Sequence, residues 1–580
     1  MHAASPGPTA YNQPVVHTFF SSRTGWAARV AAVGLLVLAT AFFFAICGPQ
    51  KAQAQAAEAN GSSADVASTH GRILLVLPFD NRSGQPSLEW IREAAPVILG
   101  SRFTAAGFAP MSRADRLYAL DHLGLPEGFH PSRATALKLA QTLDAEQIVV
   151  GSFLTDGTGI VAEAQLVDVP HLRMSAAVTA RGEMKDMISV FSLLAWKLTR
   201  ELDPSFSVAQ ETFVAAGAGL RLDAFEQYIR GISESDQTER LRHLKQAVVE
   251  SPDYGPAWMA LGREYYNAQQ YEQAAAAFAK VGHGDPESMG PDVLEAGFYS
   301  GLSLVFSGDY ARAEQAFGAV ARVLPLAEVV NNEGVAVSRQ GHDGIALFRQ
   351  AVAADPNAAD YHFNLAVSLK RHGQATEAQS ELAQCLKLRP NDSEAQSLES
   401  AWKGTAPGPA TGANVGANPD PRTDPLERIA RGFDAVAFRQ AAQMLDQMDA
   451  SRLAALTPHE RAEKLAAQAA DYLNRGLLLE AERLYQSAVA ADSSVAAEHV
   501  GLAEVRERTG NPDAARKEAH AALELSPSAD AYLVLGRLDF AGGHLSEANQ
   551  EAGEALKLDA TSSAALDLRR QIAAREGQKK

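Results

Sequence analysis

The stretch "WMALGREYYNAQQYEQAAAAFAKVGHGDP", residues 258–286, sets Trp258, Leu261, Gly262, Tyr265, Ala274, Phe278 and Pro286 at intervals that return further along the chain. In residues 297–325 the same slots hold Gly301, Ala313, Phe317 and Pro325, and in 359–390 they hold Leu365, Ala366, Ala378, Leu382 and Pro390. A copy shortened by about two residues lies between them, with Gly334, Phe348, Ala351 and Pro356. A degenerate first copy carries Tyr228, Gly231, Ala247 and Pro252. Pro252 and Pro286 stand 34 residues apart, as do Pro356 and Pro390. A period of this length marks one supersecondary unit repeated. Small residues let two antiparallel helices approach, large ones fill the space to the next pair, and proline ends the second helix because it has no amide proton to continue it. One such hairpin cannot bury its own apolar face, so the copies stack into a solenoid.

The spacing resembles that of the tetratricopeptide repeat. We read a first array over residues 223–403 and a second over 426–580, joined by a Gly/Pro/Ala-rich flexible linker at 404–425. In the second array Tyr472, Gly476, Ala481, Tyr485 and Ala488 form one copy. Leu502, Ala503, Gly510, Ala515, Ala522 and Pro527 form the next, and Leu535, Gly536, Gly543, Ala548 and Ala555 the third. "SAALDLRRQIAAREG" then reads as a polar capping helix. The resemblance implies that the first helix of each repeat lines a groove holding extended peptides. Carried onto this chain, the groove slots are Met259, Arg263, Tyr266 and Asn267; Phe298, Leu302 and Phe306; Asn331, Val335 and Arg339; and Phe363, Val367, Lys370 and Arg371. Aromatic residues supply buried area there, while Arg and Asn bond the backbone or acidic groups of a bound chain. The Lys/Asn arrangement with which family members clamp a terminal carboxylate is not visible.

Residues 71–204 follow other rules. Ile73 to Phe79 is a continuous apolar run, as in a strand buried on both faces. A helix with Leu88, Ile91, Ala95, Ile98, Leu99 and Phe103 on one face follows, closed by Gly107. After "FAPMS" and two more helical stretches, "EQIVVGSFL", "IVAEAQLVDV" and "RMSAAVTARG" read as three strands, and "DMISVFSLLAWKLTREL" as a last amphipathic helix. This is an α/β (α+β) domain, with residues 205–222 as a linker to the repeats. "ILLVLPFDNRSG" and "LAQTLDAEQIVVGSFLTDGTGIVAEAQLVDV" resemble the TolB amino-terminal-like domain, related in fold to the CsgG and FlgO envelope domains. That resemblance implies an envelope domain facing a ligand or partner and transfers no catalytic residue. Asp80, Asn81 and Ser83 sit where the first strand ends, a usual place for ligands in α/β folds; we read them as a turn whose side chains bond backbone amides.

"VAAVGLLVLATAFFFAICG", residues 30–48, carries no charge and is long enough to cross a hydrocarbon core of ~30 Å. Arg23 and Arg29 precede it with no acidic residue upstream, which puts the cytoplasmic segment 1–29 inside and the bulk of the chain outside. Two readings stay open for residues 30–48: a retained transmembrane helix, or a signal peptide cleaved near "AQAQA" in the linker 49–70. The net charge of −17 leaves no basic stripe for nucleic acid. Two cysteines, Cys47 and Cys385, offer neither a disulfide framework nor a zinc spacing. No G-x-S-x-G, HExxH, phosphate-binding loop or complete dinucleotide fingerprint occurs. The sequence therefore reads as a non-enzymatic binding scaffold of the bacterial cell envelope, without cofactor or metal. Its expected partner is a protein or peptide, with the membrane contacted through residues 30–48. The rival reading is an envelope enzyme or ligand-sensing subunit with its site in residues 71–204.

Overall fold

The structure is a computed structural model that describes residues 73–129, 131–215, 220–282, 291–403, 424–433 and 448–577. The apolar segment 30–48 and the flanking 1–29 and 49–70 lie outside the described residues, as does most of the Gly/Pro-rich linker. No helix among the described residues is long and apolar enough to cross a membrane.

The apolar run forms β1 (Ile73–Val76), paired in parallel with β3 (Ala109–Pro110) on one side and β4 (Gln147–Asp156) on the other. Both faces of this strand are covered, as the absence of alternation requires. Leu74 and Val76 pack with α1 (Ile91–Ala105) and α4 (Met187–Leu202). Leu75 and Leu77 pack with α2 (Arg113–His122) and α3 (Arg133–Thr142). A two-residue β2 (Asp80–Asn81) also joins β4 in parallel. β4 then turns back through an antiparallel hairpin into β5 (Gly159–Asp168), from Gln147↔Asp168 to Asp156↔Gly159. The third strand expected of the meander is broken: β6 (Arg173–Met174) and β7 (Val178–Glu183) pair separately with opposite ends of β5.

The two sequence segments that suggested the TolB-like resemblance meet physically at Gly151. A Cβ there would stand 2.3 Å from the Phe79 ring and 2.7 Å from the Glu163 carbonyl, so only hydrogen fits between "LPFDN" and the hairpin. Gly151→Val therefore destabilises the domain by about 1–3 kcal/mol through overpacking. Calorimetry of the full chain checks this; an unchanged unfolding profile would contradict it.

The linker expected at 205–222 is only partly a linker. Phe206, Val208 and Phe213 are buried in the core of the α/β domain, and Gln210–Ala215 forms a short helix, α5. The Trp196 indole donates to the Val208 carbonyl at 3.0 Å. These apolar residues fall at spacings that let one short turn bury them all.

The first array consists of α6 (Leu222–Ser233) and α7 (Gln237–Glu250), α8 (Gly255–Asn267) and α9 (Tyr271–Phe278), α10 (Pro291–Ser307) and α11 (Tyr310–Val323), α12 (Ala327–Arg339) and α13 (Ile345–Ala354), and α14 (Ala359–Arg371) and α15 (Ala375–Leu388). Helix α16 (Ser393–Lys403) covers the last pair with Ala395, Leu398 and Trp402. The small slot works as expected: a Cβ on Gly262 would lie 2.7 Å from the Phe278 ring, and one on Gly301 2.7 Å from Phe317. The second array runs α17 (Pro458–Asn474), α18 (Leu478–Ala491), α19 (Ala496–Arg508), α20 (Pro512–Leu525), α21 (Ala529–Gly542) and α22 (Leu545–Leu558), capped by α23 (Ser563–Gly577). It folds back on the α/β domain. Leu479 joins that domain's core, Arg483 donates to the Ala105 carbonyl at 3.0 Å, and Thr212 bonds Thr509 at 3.2 Å.

One carboxyl in this array is out of balance with its surroundings. Glu498 is 1% exposed, and neither of its oxygens has a hydrogen-bond partner among the described residues. Burial, reinforced by Asp492, pushes it up to about 7, against the opposing pull of His459 and His499. A raised carboxyl value favours the fold below the ordinary 4.5 and withdraws that stability as pH rises through about 7. Glu498→Gln should therefore raise the melting temperature at pH 8 and leave it nearly unchanged at pH 5. Equal shifts at both pH values would contradict the assignment.

Candidate functional site

Helices α10, α12, α14 and α16 carry the side chains of one continuous groove. Its floor is apolar: Phe298, Leu302, Val335, Phe363 and Val367 are all buried. Asparagines occupy the same slot in two successive repeats, Asn332 and Asn364, with Asn331 beside them, all fully buried. Arginines share a second slot, Arg339 and Arg371.

Residues 424–433, "DPLERIARGF", run through this groove without helix or strand assignment. The expected domain boundary at 426 is thereby corrected: 426–433 belong with the first array as its occupant rather than with the second. Leu426, Ile429, Ala430 and Phe433 stand at helical spacing, but contacts to residues up to about a hundred positions away hold the segment out of a helix.

At least seven hydrogen bonds read the main chain of the segment. Asn364 brackets Arg428, accepting from its N–H at 2.6 Å and donating to its carbonyl at 2.6 Å. Asn331 donates to the same carbonyl at 3.2 Å. Asn332 brackets Ala430 in the same way, both bonds 2.8 Å. Arg339 donates to the Glu427 carbonyl at 2.9 Å, and Arg371 to the Pro425 carbonyl at 2.8 Å. An asparagine amide offers a donor and an acceptor side by side, the pattern that a neighbouring β-strand would offer. Asn364 also donates to Asn331 at 2.8 Å, which fixes the orientation of both amides.

Two charged pockets flank this ladder. The Glu427 carboxylate is buried and bonded by the Arg371 guanidinium and the Ser338 hydroxyl, with Arg339 at 3.6 Å. The next residue takes the opposite charge environment. Arg428 lies 3.6 Å over the Phe363 ring and pairs with Asp392 at 2.6 Å, Glu394 at 2.7 Å and Asp360 at 2.9 Å. Burial disfavours the charge on Asp392, but hydrogen bonds from Arg428 and the Ala395 N–H outweigh it and hold the carboxyl below its ordinary value. Asp360 is held low in the same way by Arg389 and Arg428. Both depressed values stabilise the docked segment above the ordinary carboxyl value of 3.8, and the contribution disappears as pH falls through the lower folded values. At the far end Arg431 lies 5.4 Å from the Phe306 ring, and Phe433 packs on Phe298 with centroids 5.4 Å apart.

Of the residues expected to line the groove, Phe298, Phe306, Asn331, Arg339, Phe363 and Arg371 touch the segment. Leu302, Val335 and Val367 lie in its buried floor, and the remaining five are placed differently. Met259 is buried between repeats against Ala274, Phe278 and Ala296, and Arg263 pairs with Glu295 at 2.5 Å. Tyr266 meets Tyr271 and Tyr299 edge-on and Phe306 at a tilt, Asn267 is exposed, and Lys370 lies over Trp402 of the capping helix at 5.3 Å. Sequence reasoning missed Asn332, Ser338, Asp360, Asn364, Asp392 and Glu394. Recurrence in register was the available signal: Asn332 and Asn364, and likewise Asp360 and Asp392, stand 32 residues apart.

In the α/β domain, Asn81 accepts from both the N–H and the hydroxyl of Ser83 and donates to the Gln85 carbonyl at 3.0 Å. These side chains build the turn, as expected.

Tetratricopeptide repeat family models match residues 339–401 in the first array, and 466–530 and 500–565 in the second, so both arrays carry these repeats. Among solved structures, the chain is similar to MamA from Desulfovibrio magneticus RS-1, with 22% identity over 30% of this chain and 100% of that one and a TM-score of 0.26. It is also similar to YrrB, described as a TPR protein with an unusual peptide-binding site, with 16% identity over 31% and 92% and a TM-score of 0.28. A third likeness is the C-terminal domain of LpoB from Salmonella enterica, with 19% identity over 20% and 87% and a TM-score of 0.18. No curated protein matches the chain.

Proposed function

We propose that this chain is a non-enzymatic scaffold of the bacterial cell envelope that binds an extended peptide segment of a protein partner in the groove of its first array. The observation that carries the reading is the pair of asparagines, Asn332 and Asn364, bracketing the main chain of alternate residues in an extended segment. Main-chain bonds of this kind hold any extended chain, and the charged pockets beside them select among sequences. The α/β domain, read as TolB-like, packs against the second array. Residues 30–48 anchor or export the chain, with the amino terminus in the cytoplasm and the rest in the periplasm.

Site-specific photocrosslinking in cells tests the binding reading. A photoreactive residue in place of Phe306 should give adducts with another polypeptide, one in place of the exposed Val249 should not, and Asn332→Ala with Asn364→Ala should abolish them. Adducts that persist in the double variant would contradict the groove. Protease protection in spheroplasts tests the placement: digestion of residues 71–580 from outside supports it, and full protection overturns it.

A further inference from the structure

The groove of the first array is filled by its own chain. Filling by chance collapse would leave charges at the rim, yet here the Glu427 side chain is 1% exposed and Arg428 17%. Each meets groups of opposite sign on the array, Arg371 and Arg339 for the first and three carboxylates for the second. The order is fixed: a basic pocket and then an acidic one along the direction of the bound chain. Burying charges is costly unless each finds its partner, so exchanging the two residues would place like against like in both pockets.

We infer that residues 424–433 are a tethered ligand that keeps this groove closed, standing in for a partner peptide with a Glu–Arg pair at its centre. The inference rests on the proposed peptide-binding reading and extends it to the partner's chemistry. The groove asks for an apolar residue two places after the arginine, where Ala430 packs with Val330, Ala351 and Tyr361, and for an aromatic residue where Phe433 meets Phe298. Tethering raises the local concentration of the internal segment to roughly millimolar, so a free peptide with the same contacts competes poorly. Entry of a partner therefore follows release of 424–433.

The test uses the full chain and a fluorescein-labelled peptide, DPLERIARGF, read by anisotropy. Arg428→Glu sets an acidic side chain against Asp360, Asp392 and Glu394 and ejects the internal segment; Glu427→Lys does so independently at the basic pocket. Both variants should bind the labelled peptide at least about tenfold more tightly than the unaltered chain. A peptide with the pair exchanged, DPLREIARGF, should bind them at least about tenfold more weakly. Equal binding to altered and unaltered chains, lost with Asn332→Ala and Asn364→Ala, would overturn self-occupancy and leave the peptide groove standing. No binding to any chain, with both variants keeping the helical circular dichroism of the unaltered protein, would overturn both. Equal binding of the exchanged peptide would overturn the Glu–Arg requirement. A dimer that Arg428→Glu converts to monomer would place the segment in a second copy and overturn the intramolecular closure.

Discussion

Glu427→Ala should increase the rate of tryptic cleavage after Arg428 and Arg431 by about a hundredfold in the full chain. Removing the carboxylate leaves the Arg371 guanidinium, only 12% exposed, facing a void with Asp424 as its remaining carboxylate partner. Breaking a buried ion pair from one side costs about 3 kcal/mol or more, mostly the penalty of the charge left behind. When opening is fast relative to cutting, cleavage follows the open population, so that cost appears directly in the rate. Peptide bonds within the helices of the second array should be cut at unchanged rates. A cleavage rate equal to that of the unaltered chain would mean that Glu427 does not hold the segment.

The second large effect belongs to the array. Asn332→Ala together with Asn364→Ala removes four main-chain hydrogen bonds. At about 0.5–1.5 kcal/mol each, their loss weakens capture of the labelled decapeptide by roughly thirtyfold to twenty-thousandfold in the Arg428→Glu background. Stability should change little, because these amides turn to water once the groove empties. An affinity within about threefold of the parent would show that the asparagines follow the segment rather than hold it.

The repeats were legible because their determinants are local and periodic. Gly262 faces Phe278 inside one hairpin, and the same geometry returns at Gly301 and Phe317. The double-faced burial of β1 was legible for the same reason, from an unbroken apolar run. What the sequence hid was long-range. Arg428 finds Asp392 and Asp360 at separations of 36 and 68 residues, and nothing within "DPLERIARGF" announces those partners. Next to a Gly/Pro-rich run, the segment looked like the approach to another helix. The groove itself was half visible: aromatic and arginine slots came from the family pattern, whereas Asn332 and Asn364 sit one position beside the expected slots. Phe206, Val208 and Phe213 were similarly overlooked because three apolar residues make too short a pattern to distinguish a docking turn from a linker.

Hydrogen exchange of the full chain at the amides of Arg428 and Ala430 tests the central claim most directly, since those two N–H groups donate to Asn364 and Asn332. Exchange slowed by at least about a hundredfold relative to an unstructured peptide is expected, with the protection lost in Arg428→Glu. Exchange at the unstructured rate in the unaltered chain would mean that the groove does not hold this segment.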